Sequence, residues 1–166
     1  SHRLAKHALT SVLALIASLN SLSAAETDIT IAMQLEPPHL DPTSAAAGAI
    51  DNVVYSNVFE GLTRFMGDGS VVAGLAKSWD ISADGLRYTF HLQTGVTFHD
   101  GSSMTADDVK FSLDRARAED STNAQKALFA GIADVEIVDP HTVVVSLQAP
   151  NGNLLFNLAW GDAVIV

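Results

Sequence analysis

The chain has 166 residues, no cysteine, and nineteen acidic against nine basic side chains, a formal charge of −10. That length suits one ordinary domain with a real core. The missing cysteines exclude a disulfide framework and thiolate metal sites, and the acidic excess argues against nucleic acid or an anionic membrane as partner.

The N-terminus opens with Arg3 and Lys6. Residues 8–19 are then almost wholly apolar, interrupted by Thr10, Ser11 and Ser18, and Ser23-Ala24-Ala25 supplies small residues. This is the basic, hydrophobic and cleavage-region layout of a secretory signal, and its apolar run is too short to span a bilayer well. Residues 1–25 are therefore read as a signal peptide cut after Ala25. An amphipathic helix of the folded domain is the other reading, but the segment is apolar all round. No cysteine follows the cut, so no lipid anchor is expected there. The lack of an initiator Met suggests that the natural start lies slightly upstream.

Residues 28–34 alternate and predict a short strand, stopped by Glu36-Pro37-Pro38 because proline cannot donate to a ladder. Leu40-Asp41-Pro42 continues an extended path, and residues 43–48 are small and flexible in composition. From Ile50 to Leu62 the apolar residues Ile50, Val53, Val54, Val58 and Leu62 recur at helical spacing. That predicts a helix ended by Gly61.

Three hairpins follow. The first joins Thr63-Arg64-Phe65 to Val71-Val72 through Gly67-Asp68-Gly69, residues that tolerate positive φ. The second is the most patterned: Trp79 and Ile81 share a face, and beyond Ala83-Asp84-Gly85 so do Tyr88, Phe90 and Leu92. Val96-Thr97-Phe98 repeats the alternation before Asp100-Gly101 turns the chain. Thr105, with Asp108 three residues on, opens a helix whose inner stripe is Val109, Leu113 and Ala116, with Arg115 and Arg117 at its C-terminal end. A helical turn or two is expected over 125–129. The third hairpin runs over 132–138 and 142–147 around Asp139-Pro140-His141. Asn151-Gly152-Asn153 caps a last short helix over 154–159, and Ala163-Val164-Ile165-Val166 is apolar and strand-like.

None of this assembles an active site. The six histidines are His2, His7, His39, His91, His99 and His141, and no two beyond the signal segment stand three or four apart. No metal-ligand helix results. His91 falls on the polar face of a strand and His99 in a turn, both surface positions. Ser102-Ser103 beside Asp100 lacks a G-x-S-x-G elbow and a base. Asp107-Asp108 is a helix start, and Gly67-Asp68-Gly69 carries no phosphate-loop lysine. No catalytic residue, metal or cofactor is expected.

A series of motifs resembles the family 5 extracellular solute-binding proteins, the periplasmic receptors of peptide and nickel ABC importers. They are Leu40-Asp41-Pro42, Tyr55-Ser56-Asn57-Val58-Phe59-Glu60-Gly61-Leu62, Gly74-Leu75-Ala76-Lys77-Ser78-Trp79 and Asp84-Gly85-Leu86-Arg87-Tyr88-Thr89-Phe90-His91-Leu92. Gly95-Val96-Thr97-Phe98-His99-Asp100-Gly101, Met104-Thr105-Ala106-Asp107-Asp108-Val109 and Asp139-Pro140-His141-Thr142-Val143 continue the series in order and at fitting spacing. Gln93 departs from the pattern, where Arg or Lys is usual; it lies on a polar face.

The resemblance implies the N-terminal part of a bilobal α/β periplasmic-binding-protein fold. Residues 26–48 would be the first strand and cleft loop of lobe one. Residues 49–166 would be its β-rich extra subdomain, of hairpins and short helices, with the second lobe absent. It further implies a monomeric, non-enzymatic receptor in the periplasm, serving the permease subunits of an ABC importer. Dipeptides or oligopeptides are the foremost ligand class, with a nickel chelate, an opine or an oligosaccharide as alternatives. By position, the cleft would take Ala45, Ala46, Ala47 and Gly48, or these form a plain linker. Gln125 and Leu128 would approach it as well, with Trp160, Gly161 and Asp162. Trp160 stands as a stacking wall or a core residue, and Asp162 as the partner of a cationic group or a solvated surface charge. Two other readings compete: an exported enzyme with its catalytic part beyond Val166 and this as a β-rich accessory domain, or a self-sufficient secreted adhesion domain.

Overall fold

The computed structural model describes residues 28, 30–44, 48–55 and 57–166. The expected signal segment and cleavage site lie outside the described residues, as do Ala45, Ala46 and Ala47. The chain divides into two units, residues 1–34 and 35–166. In the first, the described residues are exposed and form no strand, a departure from the strand expected over 28–34. Alternation alone does not hold a strand; without a ladder partner, water satisfies its backbone groups.

The second unit begins with irregular chain that bends repeatedly and turns at Pro42, where Asp41 Oδ1 accepts from the Thr43 amide at 2.9 Å. Helix α1 covers only Gly48–Val54, burying Ala49, Ile50 and Val54. The expected helix to Leu62 is not formed. The Val54 carbonyl instead accepts from the amides of Asn57, Val58 and Phe59 at 3.3, 2.9 and 3.0 Å, which closes the helix in a tight turn. The run Val53-Val54-Tyr55, β-branched and aromatic, propagates a helix poorly. Gly61 is not a cap but a crossing point: a side chain there would stand 2.7 Å from the Leu158 carbonyl.

Strands β1 (Thr63–Phe65) and β2 (Val71–Ala73) form the first hairpin. Its turn holds Gly69 at φ 84°, with Asp68 Oδ1 accepting from the Ser70 amide at 3.0 Å. The main sheet contains β3 (Ala76–Ile81), β4 (Arg87–Leu92), β5 (Ile132–Asp139) and β6 (Thr142–Leu147). The order is β3-β4-β6-β5, antiparallel throughout. Tyr88, Phe90 and Leu92 are buried on one face of β4, as the alternation requires.

The outer strands are less regular. A register shift between Ala76 and Ser78 lets fully buried Ala76 and half-buried Trp79, three residues apart, share the core side. A second shift between Ile132 and Asp134 does the same for Ile132 and Val135. Ile81, expected beside Trp79 in the core, is 49% exposed at the strand end. Residues 96–98 make an isolated bridge, Thr97 to Ser103, rather than a strand.

Helix α2 (Ala106–Arg117) covers one face of this sheet, burying Ala106, Val109, Ser112, Leu113 and Ala116. Its start is a full capping box. The Asp107 amide donates to Thr105 Oγ1 at 3.3 Å and the Thr105 amide to Asp108 Oδ2 at 2.7 Å. A 3₁₀ turn, Lys126–Phe129, precedes β5. Helix α3 (Leu154–Asn157) and a 3₁₀ turn, Gly161–Ala163, follow β6. The C-terminal run meets the segment just before the first hairpin through the bridge Gly61 to Val164. Among the described residues, no helix is long and apolar enough to cross a membrane.

Candidate ligand-binding surface

Of the positions marked for a cleft, the described ones are Gly48, those in 125–128 and those in 160–162. Gly48 is exposed at the first position of α1, with open space around it. One turn on, Asp51 and Tyr55 stand four residues apart and therefore on one face. Tyr55 donates its hydroxyl to the Ala159 carbonyl at 2.5 Å. The Asp51 carboxylate lies against Gly161, where a β-carbon would come within 2.8 Å of Asp51 Cγ.

Helix α3 is oriented by Leu154 and Leu158, both buried, which leaves Phe156, Asn157 and Trp160 on the outer side. Phe156 and Trp160 are 39% and 37% exposed. Phe65 of β1 is the hub of an aromatic group. Its ring centroid lies 5.7 Å from Tyr55, 5.8 Å from Phe156 and 6.2 Å from Trp160. Phe156 and Trp160 meet edge to face at 6.0 Å, a favourable arrangement for ring quadrupoles.

Beside these rings lies an open depression of about 300 Å³, lined by Gln125, Leu128, Asn153, Phe156, Asn157 and Trp160. The fold thus gathers three of the sequence-marked residues, Gln125, Leu128 and Trp160. The other three described ones, Gly48, Gly161 and Asp162, do not line it. Gly161 is wedged against Asp51. Asp162 is only 6% exposed and lines a different cavity of about 220 Å³, together with Thr43, Arg115, Asp120 and Asn123. The two regions are tied by Asn123, whose side-chain amide donates to the Asp162 carbonyl at 2.8 Å.

Asp162 therefore is not the solvated surface charge of one sequence reading. Burial, and next the negative charge of Asp51, push its carboxyl up to about 6. Burial raises Asp51 as well. Sequence reasoning missed Asn153, Phe156 and Asn157. The 151–153 stretch reads locally as a helix cap, although the four-residue spacing of Phe156 and Trp160 was a usable sign of a shared helix face. Elsewhere His91 pairs with Asp80 at 2.8 Å on the exposed side of the sheet. Among the described residues, no three His, Asp or Glu side chains gather to hold a metal.

Solved structures similar to this chain are periplasmic binding proteins. PBP AgaA from A. tumefaciens R10, in complex with agropinic acid, is 31% identical with a TM-score of 0.74, covering 79% of this chain and 26% of that one. NikZ from Campylobacter jejuni, in complex with Ni(L-His), is 34% identical with a TM-score of 0.69, covering 80% and 26%. DppA from Helicobacter pylori, in complex with the peptide STSA, is 28% identical with a TM-score of 0.67, covering 76% and 28%. The fold is thus an α/β portion of the periplasmic-binding-protein class.

Residues 70–165 match the family model for bacterial extracellular solute-binding proteins, family 5 middle, and the chain belongs to that family. Among curated relatives, the glutathione-binding protein GsiB of Pectobacterium atrosepticum is 39% identical over 139 residues, 84% of this chain and 27% of that protein. Di/tripeptide-binding protein 1 of Pseudomonas aeruginosa is 34% identical over 141 residues, 74% and 26%. The chain spans about a quarter of the length of these relatives.

Proposed function

We propose that this chain is part of a periplasmic receptor that captures small peptides for an ABC importer and does no chemistry on them. The observation that carries the reading is the meeting of Gln125, Leu128 and Trp160 in one open depression, on the stretch that matches the family. Relatives named for binding glutathione and di- or tripeptides support the ligand class. Residues 1–25 serve as the export signal. Residues 26–48 supply the cleft loop and the segment that becomes the first strand once the rest of lobe one pairs with it, and residues 49–166 a subdomain of lobe one. By family likeness Ala45, Ala46, Ala47 and Gly48 belong to the cleft as well, and so do Gly161 and Asp162, outside this depression.

The mechanism is capture by closure. Ligand enters between two lobes, and the closed form is stabilised because both touch the ligand at once. Closure removes water, so polar contacts at the ligand strengthen. The closed shape is the one the permease engages. This unit supplies one wall only, so it should hold ligand weakly by itself. The test is a thermal-shift screen of the full-length protein against di- to hexapeptides, glutathione, nickel–histidine and opines. A ligand present at one hundred times its Kd stabilises the folded state by about 2.7 kcal/mol, a readable shift. Stabilisation by a short peptide is expected; a response to opines or nickel–histidine alone would replace the peptide reading.

A further inference from the structure

The depression carries no charged side chain: its lining is two rings, one leucine and three carboxamides. Among the described residues, the side chains of Gln125, Asn153 and Asn157 have no hydrogen-bond partner. Asn153 takes part only through its backbone, its amide donating to Asn151 Oδ1 at 3.0 Å and its carbonyl accepting from Asn157 at 2.8 Å. Each carboxamide therefore offers a free donor and a free acceptor. The rings are held rather than loose, because Phe65 contacts both Phe156 and Trp160 and is itself stacked on Tyr55.

We infer that this depression is a side-chain subsite for an uncharged, apolar or aromatic residue of a bound peptide, with the carboxamides pairing to the peptide groups that flank it. The inference rests on the peptide-receptor reading and narrows it. A carboxamide matches a peptide group because both carry one N–H donor and one carbonyl acceptor side by side. A carboxylate or ammonium here would lose water and meet no opposite charge, which disfavours it. The ligand's charged ends must therefore be held elsewhere. An apolar side chain instead gains contact with Leu128 and with the ring pair, whose preferred offset and edge-on arrangements suit a third ring.

The experiment is titration of the full-length protein by calorimetry with Ala-Ala-Ala, Ala-Phe-Ala, Ala-Glu-Ala and maltose, for the wild type and for Trp160→Ala and Trp160→Phe. Expected is about tenfold tighter binding of Ala-Phe-Ala than of Ala-Glu-Ala. Trp160→Ala should abolish that preference by weakening Ala-Phe-Ala far more than Ala-Ala-Ala, and Trp160→Phe should keep most of it. Equal affinity for the three peptides, or equal weakening of all of them by Trp160→Ala, overturns the subsite and leaves the peptide receptor standing. Binding of maltose alone overturns both, and so does binding of none of these ligands. Equal melting temperatures of the ligand-free variants exclude misfolding as the cause.

Discussion

Gly161 lies against the carboxylate of Asp51, and a larger residue there would force that side chain to move: a β-carbon would lie 2.8 Å from Asp51 Cγ and 3.2 Å from Oδ2. The contact joins α1 to the turn that follows α3, so it sets where Trp160 stands.

Gly161→Ala should therefore destabilise the protein, but by a limited amount, since the obstacle is a side chain that can rotate away. A cost of about 1 kcal/mol is expected from overpacking. Gly74→Ala should cost more. Its β-carbon would meet backbone, 2.6 Å from the Gly61 carbonyl and 3.1 Å from that of Leu62, and neither can move without disturbing the first hairpin. Melting temperatures of the two variants give the comparison. If Gly161→Ala costs as much as Gly74→Ala, Asp51 is not the yielding partner.

Asp162 gives a pH dependence of known sign. Its carboxyl titrates near 6 in the folded chain against an ordinary 3.8, so the folded state binds the proton more tightly. That contribution is complete below about pH 4 and is lost as pH rises toward 6. Urea unfolding should show stability falling over that interval by on the order of 2 kcal/mol. Asp162→Asn should flatten the fall and raise stability at pH 7. A variant with the same slope as the wild type would rule out Asp162 as its source.

The three hairpins were legible because period-two alternation and turn residues are local signals, as Tyr88, Phe90 and Leu92 illustrate. The bulges in β3 and β5 were not. Register is settled by the neighbouring strand, and nothing in Ala76-Lys77-Ser78 announces a slipped residue. The end of α1 was misjudged because Val58 and Leu62 continue a helical period that the backbone abandons after Val54. At the surface, Gln125, Leu128 and Trp160 came from family likeness rather than from pattern. The ring hub at Phe65 and the contact of Asp51 with Gly161 join residues far apart in sequence, so only the fold reveals them.

The start of α2 offers a cleaner local test. Thr105→Ala removes the hydroxyl that accepts from the Asp107 amide, and should cost about 1 kcal/mol. Thr105→Ser keeps the oxygen and should recover most of it. Because α2 covers the sheet, the loss should appear in the global melting temperature and not only in helix fraying. An alanine variant as stable as the wild type would mean that water caps this helix equally well.

Asp114 ties α2 to the outer strand β5. Its two oxygens accept from Lys110 Nζ at 2.8 Å, and from Arg117 Nε and Nη2 at 2.9 and 2.7 Å. The same cations reach on to strand carbonyls, Lys110 to Val135 at 2.8 Å and Arg117 to Ile132 and Ala133 at 3.3 and 3.2 Å. Burial opposes the charge on Asp114, yet these hydrogen bonds and the two cations prevail and hold its carboxyl below 3.8. A lowered pKa stabilises the fold above 3.8, and the effect fades as pH falls through the folded value. Asp114→Asn should therefore cost about 1 kcal/mol at pH 7, the range for a partly exposed charge-assisted pair. The deficit should shrink as pH falls below 3.8 and through the lowered folded value, where the native carboxyl also takes up its proton. High salt should reduce it only in part, because two of the hydrogen bonds are short and half-buried. A deficit that stays constant from pH 7 to pH 2 would mean that shape, and not charge, holds α2 against β5.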